Sequence, residues 1–520
     1  MKIKKYLCAL LAISTIFSLS ACSGNSSGSS SSGTSSADVS SEDPFLTGEK
    51  PELNVLTYYT TFDMSSQPSV AVSEELTGYK VNWFNLPQEQ ATEKLLLEVA
   101  GGTSYDLLVR LGLDQITQLE SKGGLLELSS YLDKYGDNIM KAVPDINWTA
   151  TTGTDGKVFG IPIGTYDTPN SKDNLYGIIK YGLAYRSDVL ADLGIDVPET
   201  LDDFYNALVA YKNKTGKAGF TTSSGAFYSQ ILSAFGMGDS GWYDIDGVYT
   251  PRIKVPAMVD YLAFMQKLYK EGLYDEDMPV NTGSTFKEKF SNATAFCAPL
   301  AFFDIPSMIE AVKTSNPDCE MAFGTPLAPD DSTNGVLYVS QGCGAIAAIP
   351  KTAKNPEHAI IWFNKLSETD TFKAIYIGEE NVTYEIKDNK YYPIFPAFND
   401  FQNSDKFPGV ACDGVVDMWQ ARARKTDEMA IAYDDMNSRI DNYDVEFFYT
   451  SFASSLEANM EYSAALATMM NDALITAIVD GSDAQAAINN IIAKWDAEGG
   501  KEMEAEMQTW YDANKSMFVQ

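Results

Sequence analysis

Leu53-Asn54-Val55-Leu56-Thr57-Tyr58-Tyr59 and Tyr105-Asp106-Leu107-Leu108-Val109-Arg110 bracket the stretch that decides the fold. Each is a short run, apolar through its middle, as a strand buried on both faces of a parallel sheet must be. Between them lies a third strand, Val81-Asn82-Trp83-Phe84. Two helical segments separate the three. One covers Ser69 to Leu76. The other covers Gln88 to Val99, sets Ala91, Leu95, Leu96 and Val99 on one face, and stops at Gly101-Gly102. Beyond them Ile116 to Ser121 reads as helix, Gly123-Gly124 breaks it, and Leu125 to Tyr135 begins another. The order is βαβαβα, which requires a parallel sheet wound with helices.

C-terminal to this unit, the glycines of Gly156-Lys157-Val158-Phe159-Gly160-Ile161-Pro162-Ile163, with Pro162, exclude a helix. Tyr176 to Tyr185 is strand-like. Ser187 to Leu193 is helical and ends at Gly194. Thr200 and Asp203 form a capping-box pattern before a helix Leu201–Tyr211 that buries Phe204, Leu208 and Tyr211. Trp242-Tyr243, Asp246-Gly247 and Val248-Tyr249 read as a hairpin. Met258–Lys270 is a helix closed by Gly272, and Asn355-Pro356 opens another, Glu357–Leu366. The tail is read as helical over Phe448–Ile478, Asp483–Lys494 and Lys501–Asn514.

At the N-terminus Lys2, Lys4 and Lys5 precede an apolar run, Tyr6 to Leu19, and then Leu19-Ser20-Ala21-Cys22. A basic start, a short apolar run and small residues describe a secretory signal. A run of this length does not span a bilayer as a helix. Cys22 after small residues resembles the lipobox of bacterial lipoproteins. That likeness implies lipidation of its thiol and, with two acyl chains, stable anchoring at about 0.8 kcal/mol per buried methylene. Ser23 to Asp43 is nearly all Ser, Gly and small polar residues and reads as a flexible tether with a reach on the order of 25 Å. The reading is a signal peptide over 1–21, a lipid-anchored tether over 22–44, and a body held on the extracellular face of the cell membrane.

The body is long enough for two domains, and 45% apolar residues suffice for their cores. The net charge is −33, and loss of the three signal lysines makes it −36. Such a surface repels nucleic acid and anionic lipid. No second apolar run is expected to approach a membrane span. Cys297, Cys319, Cys343 and Cys412 are too few for a disulfide scaffold and contain no C-x-x-C, although one bridge stays open. With a single histidine, His358, a zinc site is not expected. No cofactor is implied, and the body reads as a monomer.

Several strings, in order, resemble extracellular solute-binding proteins of ABC importers, in their large carbohydrate-binding lipoprotein branch. They are Ala100-Gly101-Gly102-Thr103-Ser104-Tyr105-Asp106-Leu107, Gly156 through Pro162, and Tyr185 through Leu190 with Pro198 through Phe204. Leu268 through Asp275, Pro350 through Ala359, and the tail Trp495 through Tyr511 continue the series. The resemblance implies a two-lobed α/β fold of the periplasmic-binding-protein type (type II), a ligand cleft between the lobes, and a helix-rich C-terminus. Lobe one is then 45–164 plus 337–400, lobe two is 165–336 plus 401–520, and the chain crosses near Ile163 to Tyr166. It implies a carbohydrate ligand, an oligosaccharide above others, and permease subunits as partners. A peptide or other solute is the alternative. A surface glycoside hydrolase or lyase is a third reading, because 71 acidic residues allow a catalytic pair. Alginate-binding members carry a calcium loop after the helix that matches Leu201–Tyr211. Tyr211 to Gly219 here has no Asp or Glu, so no metal site is expected.

Ligands of open α/β sheets sit outside the carboxyl ends of the strands. That rule selects Tyr58, Tyr59 and Thr60 after the first strand and Arg110 after the third. Sugars stack their C–H faces on rings, so Tyr166, Trp242, Tyr243, Phe302, Phe303 and Tyr338 are candidates, with Asp167, Asp304 and Gln341 as polar ones. No catalytic residue is assigned.

Overall fold

The computed structural model describes residues 43–153, 155–163, 176–314, 316–317, 319–340, 342–404, 407–408, 415–449 and 456–518. The chain divides into two units, Met1–Thr47 and Gly48–Gln520. The described part of the first holds one helical turn, Pro44–Thr47. The signal, Cys22 and the tether lie outside the described residues. Everything below concerns the second unit.

Three strands open it: β1 (Leu53–Thr57), β2 (Val81–Asn85) and β3 (Leu107–Leu111). β1 pairs with both neighbours in parallel. The intervening helices are Pro68–Thr77, closed by Gly78 at φ 73°, and Ala91–Ala100, which buries Leu95 and Val99. The second starts three residues later than expected because Gln90 sits at φ 56° and cannot be helical. Leu125 to Tyr135 is helical only over Ser129–Tyr135. Leu125 instead bridges Pro350, and Leu126 donates to the Ile349 carbonyl, so a distant partner outweighs local propensity.

β4 (Ile161–Ile163) follows, then β5 (Tyr181–Arg186), β6 (Trp242–Ile245), β7 (Val248–Pro251) and β8 (Cys297–Ala301). Next come β9 (Met321–Gly324), β10 (Gly335–Ser340) and β11 (Ala345–Ala348). A hairpin of β12 (Tyr384–Lys387) and β13 (Lys390–Pro393) precedes β14 (Tyr443–Phe448). The first sheet has the order β2-β1-β3-β11-β4, and the second, β8-β5-β9, is antiparallel throughout. β6 and β7 form the expected hairpin, with Asp246 and Gly247 both at positive φ.

Asp106 explains two of the strings that carry the family resemblance. Its side chain is almost fully buried. It accepts from the Asn54 N–H at 2.9 Å, the Lys354 and Asn355 N–H groups at 3.2 and 2.9 Å, and the Asn355 amide at 3.2 Å. One carboxylate therefore joins β1, β3 and the start of the helix Pro356–Leu366. The capping box at Thr200 and Asp203 forms as read, and its helix runs on to Thr215.

The C-terminal reading needs two corrections. The helix expected from Phe448 begins at Glu457, and Tyr443–Phe448 is strand β14, parallel to β10. Its partner lies about a hundred residues earlier, so no local pattern announces the pairing. The helix Glu457–Asp480 is also long and apolar enough to cross a membrane by length and composition, at mean hydropathy 1.3. In the fold it packs Leu466, Leu474, Ala477 and Ile478 into the core beside Leu262 and Ile488.

The topology sets the site. β4 and β5 are consecutive but belong to different sheets, as are β10 and β11. β11 runs antiparallel to β3 and β4, with Ile346 opposite Leu111 and Ala345 opposite Ile163. The carboxyl ends of β1, β3 and β4 therefore share one end of the first sheet with the start of β11. In the second sheet Tyr181 lies opposite Ala301. The start of β5 and the end of β8 thus form the end at which the chain arrives.

Candidate functional site

At the first sheet's end, Tyr58 is half-buried and Tyr59 is 39% exposed. The Asn85 amide donates to the Tyr58 carbonyl at 3.2 Å and to Thr60 Oγ1 at 2.7 Å, and Thr60 Oγ1 donates to the Phe62 carbonyl. The loop after β1 is thereby fixed to the end of β2. Opposite it, β3 is bulged. Ala348 pairs with Leu108 and Ile346 with Leu111, so two residues of β3 face one of β11. The bulge places Arg110 at φ 58°, a conformation a non-glycine residue seldom adopts. It turns the guanidinium over the Tyr58 ring, 5.0 Å from its centre. The Tyr58 hydroxyl is buried without a hydrogen-bond partner among the described residues.

At the second sheet's end, Tyr181 is 51% and Phe303 48% exposed. Their rings meet edge to face at 6.1 Å. Beside them is a cavity of about 130 Å³ lined by Lys180, Tyr181, Asp239, Tyr338, Ser340 and Phe448, among others. Burial lowers the Lys180 pKa to about 7. Its ammonium stands 5.1 Å from the centre of the Trp419 ring. Tyr338 is half-buried, and burial pushes its phenol up. Exposed rings beside a cation, a carboxylate and hydroxyls can stack the C–H face of a sugar and hydrogen-bond its rim.

Of the residues read from sequence, Tyr58, Tyr59, Thr60 and Arg110 come together at the first end, and Phe303 and Tyr338 lie at the second. Trp242 does not. It is buried at 7% exposure, stacks on Tyr249 at 5.6 Å and meets Trp495 edge-on, pinning the β6–β7 hairpin to the C-terminal helices. Phe302 is core, packed on Tyr433; the chain leaves β8 in the 3-10 turn Phe302–Asp304, which swings Phe303 round to the outward side. Tyr243 is buried too. Its hydroxyl is tied to both backbone groups of Gly238, and its ring backs Tyr338 at 5.0 Å. Asp304 accepts from the Ala301 N–H and pairs with Lys287 at 2.6 Å, so its carboxylate is engaged in ending β8. Tyr166, Asp167 and Gln341 lie outside the described residues. Lys180, Tyr181, Asp239 and Phe448 were missed. The carboxyl-end rule assumes parallel strands, and in an antiparallel sheet the amino end of β5 belongs to the same rim.

Cys297 and Cys319 are buried free thiols, and Cys343 is half-buried with its pKa pushed up to about 11 by burial. Where the calcium loop would lie, the Lys212 ammonium binds the Glu271 carbonyl. The neighbouring acidic residues Asp275 and Asp277 hold the Lys289 ammonium at 2.8 Å. Among the described residues no cluster of three His, Cys, Asp or Glu side chains is placed to hold a metal.

Residues 70–407 match the family model of bacterial extracellular solute-binding proteins. The chain belongs to this family. A relative from Niallia circulans, an uncharacterized protein in the butB 5′ region, is 31% identical over 48% of the chain and 98% of its own length. The polygalacturonan/rhamnogalacturonan-binding protein YtcQ of Bacillus subtilis is 21% identical over 84% of the chain and 86% of its own length. Among solved structures, the ABC-transporter substrate-binding protein FusA of Streptococcus pneumoniae, in complex with kestose, superposes with a TM-score of 0.64 at 17% identity. That match covers 90% of this chain and all of FusA. This solute-binding protein therefore has the two-lobed type II fold expected of it.

Proposed function

We propose that this solute-binding protein captures an oligosaccharide between the ends of its two sheets and delivers it to the permease of an ABC importer. The observation that carries the reading is the exposed pair Tyr181 and Phe303 beside the Lys180–Tyr338 cavity, at the end where the chain arrives from the first sheet. Tyr59 and Arg110 supply a ring and a cation from the other sheet. Rings with both donors and acceptors suit a polyhydroxylated ligand better than an apolar one. The polygalacturonan of YtcQ and the kestose of FusA point to the same class. Lobe one holds β1 to β4 and β11, and lobe two holds β5 to β9 with β10 and β14. The Cys22 lipid anchor and the 22–44 tether keep the protein at the extracellular face of the membrane.

A thermal-shift and calorimetry panel of kestose, trigalacturonate, xylotriose and a tripeptide mixture tests this. A ligand at a hundred times its dissociation constant adds about 2.7 kcal/mol, so one oligosaccharide should raise the melting temperature by degrees. A shift with the peptides and none with any sugar would overturn the carbohydrate reading. Cys22→Ala should move the protein from the membrane pellet to the medium.

A further inference from the structure

The helix Val415–Ala423 belongs to two cores at once. Met418 and Ala421 pack with Phe372, Tyr376 and Phe398, the cluster beside the β12–β13 hairpin. Ala423 packs with Ile179, Ala184 and Leu300 of the second sheet, and Trp419 touches both clusters. Its last turn and the residue after it carry two arginines that hold opposite sides. The Arg422 guanidinium donates to the Phe401 carbonyl and Ser404 Oγ at 2.6 Å and to the Gln402 carbonyl at 2.7 Å, and it lies over the Tyr376 ring.

Arg424, with its side chain 1% exposed, turns the other way. It donates to Asp434 Oδ1 at 2.6 Å and Oδ2 at 3.2 Å, to the Tyr176 hydroxyl at 3.1 Å, and to the Tyr391 carbonyl of β13 at 2.8 Å. Tyr176 also donates to Asp434. Tyr176 opens the run that leads into the pocket. Gly177 and Ile179 are fixed next to it by the Asn437 amide oxygen, and Lys180 and Tyr181 line the cavity. Lys180 in turn lies over Trp419 of the same helix. The pocket wall, the hairpin and the helix that spans both cores therefore meet at one buried guanidinium.

We propose that Arg424 is a positioning residue for ligand capture: it fixes Tyr176, and with it the pocket wall Ile178–Tyr181, to the helix Val415–Ala423 that ties the two cores together. The proposal rests on the assignment of that pocket to the ligand. A planar guanidinium forks to Asp434 while reaching a phenol and a carbonyl, which an ammonium cannot do at once. Without it, the wall keeps its Asn437 bonds, the Lys390 ammonium over the Tyr176 ring and Lys180 over Trp419, but loses the directional hydrogen bonds that join Tyr176 to the Tyr391 carbonyl through one group.

Two ligand-free measurements test it in the full-length protein. The first is hydrogen–deuterium exchange of the 177–181 amides. The second is the distance distribution between spin labels at Leu97→Cys and Val280→Cys, both exposed positions on opposite sheets' flanks. Arg424→Lys should speed exchange over 177–181 at least tenfold and broaden the distribution, with Leu183–Tyr185 in mid-strand unchanged. Tyr176→Phe, which removes one hydroxyl and keeps the ring, should do the same about threefold. A purely structural arginine would instead speed exchange uniformly or lower only the melting temperature. Folded variants with wild-type exchange at 177–181 and a wild-type distance distribution would overturn the proposal. Because no sugar is needed, a negative carbohydrate panel with positive exchange data would discard the ligand assignment and leave the mechanical link standing.

Discussion

β1, β2 and β3 run parallel, joined by helices of ten residues or so, and pair with one another within about sixty residues of chain. β8, β5 and β9 alternate in direction, and β5 finds its partners more than a hundred residues downstream. The two sheets build their rims by different means. In the first, backbone direction brings the carboxyl ends of the strands to one rim, and a β-bulge adjusts one side chain, Arg110. In the second, the rim mixes strand starts and strand ends, and the 3-10 turn after β8 decides which ring faces out. Phe302 and Phe303, adjacent in sequence, show this directly: one is core and the other is half exposed.

The largest expected effect is on the first sheet. Asp106→Ala leaves several part-buried N–H groups without their acceptor and should cost about 5 kcal/mol of stability, at roughly 1–3 kcal/mol per orphaned donor. Urea denaturation measures it. A loss below about 1 kcal/mol would mean that the parallel sheet does not depend on this cross-link.

The next comparison lies within the second side. Trp242→Ala should lower stability by about 3–5 kcal/mol, the usual cost of deleting a buried large ring, with affinity for the bound sugar nearly unchanged. Tyr181→Ala and Phe303→Ala should reverse the pattern. Each should weaken binding by about 1–3 kcal/mol, the scale of a lost stacking ring, and scarcely move the melting point. Parallel calorimetry and thermal melts separate the two outcomes. Weak binding by a well-folded Trp242 variant would return that ring to the site.

This contrast shows what could be read from the residues. The βαβ unit, the hairpin at Asp246-Gly247 and the Thr200 capping box are local patterns, and each is found where read. Tyr58, Tyr59 and Arg110 do lie together at the carboxyl end of the parallel strands, as strand direction alone requires. Trp242 was misplaced because an aromatic residue at a hairpin start carries no sign of the helices that cover it, and Trp495 is some 250 residues away. β14 and Tyr181 were missed for the same reason: their roles depend on partners that only the folded chain supplies.

The smallest effect concerns the lone histidine of the first side. His358 Nδ1 lies 2.8 Å from the Tyr79 hydroxyl, and burial lowers its pKa. The folded state therefore binds fewer protons here than the unfolded chain, whose histidine titrates near ~6.5. The contribution is intact above that pH and is lost as pH falls through the folded value. Stability measured from pH 7 to 5 should decline less steeply in His358→Gln than in the wild type. Equal slopes would mean that the ring is protonated as readily inside as outside.

The place of β11 also sets an order of events during synthesis. It sits between β3 and β4, so β4, made at residues 161–163, has no strand beside it until residues 345–348 exist. At roughly 5–20 residues per second, that delay is on the order of ten seconds or more, and β10 waits again for β14. A half-made chain can complete neither sheet. The return of the chain to the first sheet thus postpones that sheet's closure until after the second, β8-β5-β9, has all its strands.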